Sequence, residues 1–98
     1  MLEKHYMLVT KNSCSYCHKA LELLKKNECS FAYTDMENAL TLLDSIKEQT
    51  DWKTVPIVWQ QTLDWNEGQP VVVENGFVGG YTELLETINK NDTDEKND

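Results

Sequence analysis

Cys14-Ser15-Tyr16-Cys17 is the stretch best equipped for chemistry. Two thiols separated by two residues suit either a redox couple or half of a metal centre. A tetrahedral zinc site needs two further ligands at suitable spacing. The remaining candidates are Cys29, His18 and His5, and none of them forms a second paired knuckle. His18 directly follows Cys17 and, on a helix, points about 100° away from it. The dithiol reading therefore leads.

That reading carries a mechanism. At the start of a helix, unsatisfied N–H groups and the positive end of the macrodipole stabilise an anion. A thiol of ordinary pKa near ~8.5 can be lowered into the ~3.5–7.5 range there. Cys14 is expected to be that thiol, with Lys11 near enough in sequence to add positive charge. Cys17, one turn deeper, suits the resolving role. At pH 7 an ordinary thiol is about 3% thiolate, so the gain in thiolate is limited to about 30-fold, and a Brønsted slope of ~0.4–0.5 nearly cancels it. The larger benefit of an acidic Cys14 is as a leaving group.

The elements that must position these thiols are legible around them. Tyr6-Met7-Leu8-Val9-Thr10 reads as a buried strand. Apolar residues at 17, 20, 21 and 24 then make an amphipathic stripe, predicting a helix from Cys14 or Ser15 to about Asn27. Phe31-Ala32-Tyr33-Thr34 is a second strand, and Thr34 with Glu37 fits a capping box. The helix behind it carries Met36, Ala39, Leu40, Leu43 and Ile46 at helical spacing, to about Gln49. Val55 to Trp59 is a third strand opening on Pro56. Thr62 to Pro70 has loop or hairpin chemistry. Val71-Val72-Val73 with Asn75-Gly76 reads as a strand and a tight turn. Gly79-Gly80 precedes a last helix with Tyr81, Leu84, Leu85 and Ile88 inward. The order is β-α-β-α-β-β-α, an α/β domain built on a mixed four-stranded sheet flanked by helices.

Bulk properties bound the rest. At 98 residues the chain makes one domain, expected over 1–90. Residues 91–98 contain no apolar side chain and read as a polar, disordered tail. Net charge is −8 and arginine is absent, which argues against a nucleic-acid partner. No run approaches the ~18 apolar residues of a membrane span. The first ten residues carry no leader pattern, and three cysteines do not make a secreted disulfide framework, so the expected location is cytoplasmic.

Taken together, Lys11-x-x-Cys14-Ser15-Tyr16-Cys17, Thr54-Val55-Pro56 and Gly79-Gly80-Tyr81-Thr82-Glu83 resemble the glutaredoxins, a family with the thioredoxin fold. The resemblance spans about residues 5–90. It implies a glutathione-dependent thiol–disulfide oxidoreductase in which Cys14 attacks and Cys17 resolves. Pro56 is then cis and faces the disulfide, leaving the Val55 backbone to pair with a bound peptide. Lys11 pairs with one glutathione carboxylate, helped by Lys47 or Gln49. Thr54, Val55 and Pro56 form one wall of the glutathione site. Gly80 allows close approach, and the Tyr81 and Thr82 N–H groups with the Thr82 hydroxyl take the γ-glutamyl end. Tyr16 lies along the cysteinyl moiety, and Glu83 receives the ammonium. The implied partners are glutathione and protein disulfides such as ribonucleotide reductase, met as a monomer. An alternative within the resemblance is a 2Fe–2S cluster bridged between two subunits by Cys14 and glutathione, which Ser15 permits. A non-catalytic binding module is a third, and the intact Cys14 and Cys17 count against it.

One stretch departs from the family pattern. About ten extra residues lie between Trp59 and Val71, expected as a longer hairpin over the sheet edge, with Trp65 as a candidate substrate contact. Cys29 reads as an unreactive thiol, His5 and His18 as surface residues, and Trp52 as the cover of a helix end.

Overall fold

The computed structural model describes residues 2–96. β1 (Leu2–Thr10), α1 (Ser15–Lys26), β2 (Ser30–Asp35), α2 (Leu40–Thr50), β3 (Ile57–Asn66), β4 (Gln69–Gly79) and α3 (Tyr81–Lys96) follow in that order. The sheet runs β2-β1-β3-β4. β1 and β2 are parallel, while β1–β3 and β3–β4 are antiparallel. This is the mixed sheet expected from the element order. The backbone of α3 continues into the stretch read as a polar tail, and residues 97–98 lie outside the described residues.

Alternation along β1 builds a core on each face of the sheet. Tyr6 and Leu8 pack with Ala20 and Leu24 of α1, Val58 of β3, and Leu84 and Ile88 of α3. Val9 points the other way and packs with Met36, with Leu43 of α2 and with Ile57. The stripe on α1 works as its spacing dictates, with Cys17, Ala20 and Leu24 buried. Because Leu8, Val9 and Thr10 are all buried, the end of β1 is fixed from both sides before the chain turns into Cys14.

The capping box expected at Thr34 and Glu37 is not formed. Thr34 and Asp35 instead complete β2 beside Val9 and Thr10. α2 begins later, with Ala39 as an N-cap that makes no side-chain bond. Pairing with β1 outweighs the local capping preference. The Asp35 carboxylate takes two backbone N–H groups, those of Asn12 and Glu37, each at 3.0 Å.

The hairpin also differs from expectation. Asn75-Gly76 is not a turn; both residues lie inside β4, opposite Gln61 and Gln60. The turn is Glu67-Gly68, whose φ values of 54° and 82° match a two-residue connection with both central residues left-handed. The extra residues thus make the longer hairpin expected of them, by lengthening both of its strands. Pro70 is accommodated because β4 is an edge strand, where a missing donor costs little. Trp65 spans from β3 to the start of β1, its indole N–H donating to the Glu3 carboxylate. Lys4 adds a bond to the buried Thr62 hydroxyl, at 2.9 Å.

Candidate active site

Cys14 is the N-cap of α1. Its backbone is extended (φ −98°, ψ 117°), and its sulfur accepts the N–H of Cys17 at 3.2 Å. The Cys14 N–H donates to the Lys11 carbonyl at 3.1 Å, closing the turn between β1 and the helix. A sulfur held at a helix N-terminus and facing a backbone N–H is placed where negative charge is favoured. On its other side the Cys14 thiol donates to the Val55 carbonyl at 3.5 Å. That carbonyl belongs to the peptide before Pro56, and the Val55–Pro56 bond is cis.

Cys17 is a different kind of thiol. It is buried beneath the first turn, at 1% exposure, and both cysteines are reduced. Burial pushes its pKa up to about 12, and the hydrogen bond and charge of the neighbouring Cys14 push the same way. A backbone hydrogen bond with Lys11 pulls it down, but less strongly than burial raises it. The nucleophile and resolving thiol expected from the spacing therefore stand in unequal surroundings.

A groove of about 320 Å³ is lined in part by Val55, whose carbonyl accepts from Cys14. One wall is Thr54, Val55 and Pro56; the opposite wall is Gly80, Tyr81, Thr82 and Glu83; Tyr16 closes one side. All the expected ligand contacts except Lys11 are thereby brought together. The ring of Tyr16 is exposed and lies 5.9 Å from that of Tyr81, with the Lys19 ammonium 5.0 Å from its centroid. Glu83 also braces the start of α3, where its Oε1 accepts the Gly80 N–H at 3.0 Å, reaching back over the first turn.

Gly79 turns the chain from β4 into that helix at φ 125°, a conformation that side chains rarely adopt. A Cβ there would also stand 3.0 Å from Glu83 Cγ and 3.1 Å from Trp52 Cη2. Trp52, expected chiefly to cover a helix end, also belongs to the groove. Its indole lines the groove against both glycines and stacks edge-on to Phe77 at 5.6 Å. The signal available was an aromatic residue two positions before Thr54-Val55-Pro56.

Lys11 lies elsewhere. It lines a second cavity of about 290 Å³ behind Cys17, and its ammonium is 4.0 Å from Glu37 Oε2. Lys47 and Gln49, the suggested helpers, do not line the groove either. His18 is not idle on the surface: its Nε2 donates to the Asn12 carbonyl at 2.8 Å. Cys29 is half-buried and packs against the core shared by α1 and α3. Among the described residues no cluster of three or more His, Cys, Asp or Glu could hold a metal ion. No described helix is long and apolar enough to cross a membrane.

Residues 6–62 match the sequence model of the glutaredoxin family. The solution structure of glutaredoxin from Brucella melitensis superposes with a TM-score of 0.61 at 20% identity, over 93% of this chain and 85% of that one. At that identity the likeness speaks to the fold, which is thioredoxin-like. Plasmodium falciparum thioredoxin gives a TM-score of 0.43 at 15% identity, over 87% and 67% of the two chains. No curated protein sequence matches the chain.

Proposed function

This chain belongs to the glutaredoxin family of thiol–disulfide oxidoreductases, and we propose that it uses glutathione, both as reductant and as the leaving half of mixed disulfides. The observation that carries this reading is the groove lined by Val55, whose carbonyl accepts from Cys14. It offers a peptide-like ligand a backbone edge at Val55 and a helix N-terminus at Tyr81 and Thr82. A helix N-terminus suits the γ-glutamyl carboxylate. The second oxygen of Glu83 suits the neighbouring ammonium, since Oε1 is engaged by Gly80. Tyr16 covers the cysteinyl segment.

In deglutathionylation the Cys14 thiolate attacks the glutathione sulfur of a mixed disulfide. A Cys14–glutathione disulfide forms, the substrate sulfur leaves as thiolate, and it takes a proton from solvent. A second glutathione thiolate then attacks, releasing oxidised glutathione and restoring the Cys14 thiolate. In dithiol turnover Cys14 instead forms a mixed disulfide with a protein. Cys17 loses its proton and attacks Cys14 Sγ, the protein thiolate departs, and two glutathiones reduce the internal disulfide. With a pKa of about 12, only ~10⁻⁵ of Cys17 is thiolate at pH 7. Two of the influences holding it up come from Cys14 itself. Once Cys14 is tied up as a disulfide, its sulfur no longer adds to the burial that holds the Cys17 proton, and Cys17 becomes easier to deprotonate. The resolving thiol is thereby restrained until it is needed.

Substrates of this reading are glutathionylated thiols and protein disulfides, ribonucleotide reductase among them, met by a cytoplasmic monomer. The kinetic test uses two variants. Cys14→Ser should abolish all turnover. Cys17→Ser should keep deglutathionylation and lose reduction of protein disulfides. Equal behaviour of the two variants would contradict the role assignment, and a wild-type protein inert toward glutathione mixed disulfides would contradict the substrate.

A further inference from the structure

A further cavity, of about 360 Å³, is lined by Lys19, Glu22, Leu23 and Lys26 of α1 and by Tyr81 of α3. Tyr81 also lines the groove that holds Val55 and Thr82, so the two spaces share a residue. Helix geometry puts the α1 residues in one stripe. Tyr16, Lys19, Leu23 and Lys26 follow at intervals of three, four and three residues, with Glu22 beside them. The Tyr16 ring, which closes one side of the groove, lies 5.9 Å from that of Tyr81. The Lys19 ammonium lies 5.0 Å from the Tyr16 centroid. Lys19 and Lys26 are exposed, and among the described residues neither makes an ion pair. The chain as a whole carries a net charge of −8, yet α1 holds three lysines against one glutamate. A cationic stripe thus leads away from the groove on an otherwise acidic protein.

We propose that this stripe is a docking surface for protein substrates, taking an acidic segment that continues from the cysteine held in the groove. The surface deepens the oxidoreductase reading of that groove and rests on it. Along the helix axis Lys19 stands about 7.5 Å and Lys26 about 18 Å beyond Cys14, at ~1.5 Å per residue. An extended segment advances ~3.3 Å per residue, so carboxylates about two to six positions from the reactive cysteine come level with the two ammonium groups. Complementary charge of this exposed kind speeds encounter and selects partners. Glu22, in the same stripe, opposes such a segment.

The test uses two synthetic peptides, each closed by one disulfide. One carries glutamate at the second to sixth positions outside each cysteine, and the other carries glutamine there. Reduced protein is mixed with each peptide, and the quantity read is the ratio of second-order rate constants for reduction, acidic over neutral. Lys19→Gln with Lys26→Gln should lower that ratio about two- to ten-fold, and Glu22→Gln should raise it about two-fold. Lys25→Gln with Lys47→Gln removes the same charge from residues that line other cavities, and should lower the ratio by less. Charge reversal, Lys19→Glu with Lys26→Glu, should shift the preference to a peptide with lysine at those positions, which a structural defect alone would not do. A ratio that does not fall when Lys19 and Lys26 are neutralised overturns the inference. So does an equal fall on neutralising Lys25 and Lys47, since net charge and not this stripe would then set the preference. Wild type that reduces both peptides equally, or that acts on glutathione mixed disulfides but on neither peptide, overturns it as well. Wild type inert toward all three removes the oxidoreductase reading and the docking surface with it.

Discussion

The two ends of this sheet are built on different principles. At the thiol end, β1 lies between two helix layers. Leu8 faces α1 and α3 while Val9 faces α2, and both are buried. At the opposite end, β3 and β4 run out as an arm that β1 backs as far as Asp64. There Val71, Val72 and Val73 are more than half exposed, and polar ties such as Lys4–Thr62 and Trp65–Glu3 hold the arm to β1. A nucleophile needs a fixed position, and the double layer supplies it. The arm tolerates lengthening because little is packed upon it.

The sharpest way to break that contrast is to empty the core at one end and trim the arm at the other. Leu24 is fully buried between α1 and its neighbours, so Leu24→Ala should cost about 2–5 kcal/mol in urea unfolding. Val72→Ala, at 51% exposure, should shift stability by less than about 0.5 kcal/mol. Equal costs would show that the arm is as integral as the core.

Glycines extend the comparison. Gly79→Ala combines a positive φ with contacts of 3.0 and 3.1 Å to Glu83 and Trp52 at the groove wall. It should cost about 1–3 kcal/mol and lower kcat/KM for glutathione mixed disulfides. Gly68→Ala also has positive φ, but the space around it is open. It should cost about 1 kcal/mol and leave activity intact. Activity lost at Gly68 rather than at Gly79 would reverse the assignment of function to the two ends.

A smaller effect separates the thiols themselves. Cys17 keeps its proton in the folded protein to about pH 12, whereas in the unfolded chain it loses it near the ordinary value of 9.0. Its contribution is therefore fully present below about pH 9 and drains away as pH rises toward 12. The reduced wild type should lose its stability advantage over Cys17→Ser across that window, read as a converging pair of urea midpoints. Midpoints that stay parallel from pH 8 to 11 would mean that Cys17 is not held protonated by the fold.

The same contrast governs what could be read from the chain alone. The stripe at Cys17, Ala20, Leu21 and Leu24 was decisive, because a helix laid on a sheet has a period that nothing else imitates. The groove was legible through Pro56 and Gly79-Gly80, whose backbone properties limit what they can do. The arm was not. Asn75-Gly76 carries a stronger turn signal than Glu67-Gly68, yet pairing with β3 absorbed the former and turned the chain at the latter. Thr34 and Glu37 likewise looked like a helix start until pairing with β1 claimed the strand end. The Lys11–Glu37 pair was illegible for another reason: it depends on segments distant in sequence meeting across the fold.

The central claim, that Cys14 carries the substrate while Cys17 waits beneath it, is tested most directly by trapping. Cys17→Ser, Cys14→Ser and wild type are each incubated with oxidised glutathione, and the intact proteins are weighed by mass spectrometry with peptide mapping. The account predicts one glutathione on Cys14 in the Cys17→Ser protein, none at Cys17 in the Cys14→Ser protein, and an internal disulfide in the wild type. Glutathione found on Cys17, or absent from Cys14 when Cys17 is removed, would contradict it.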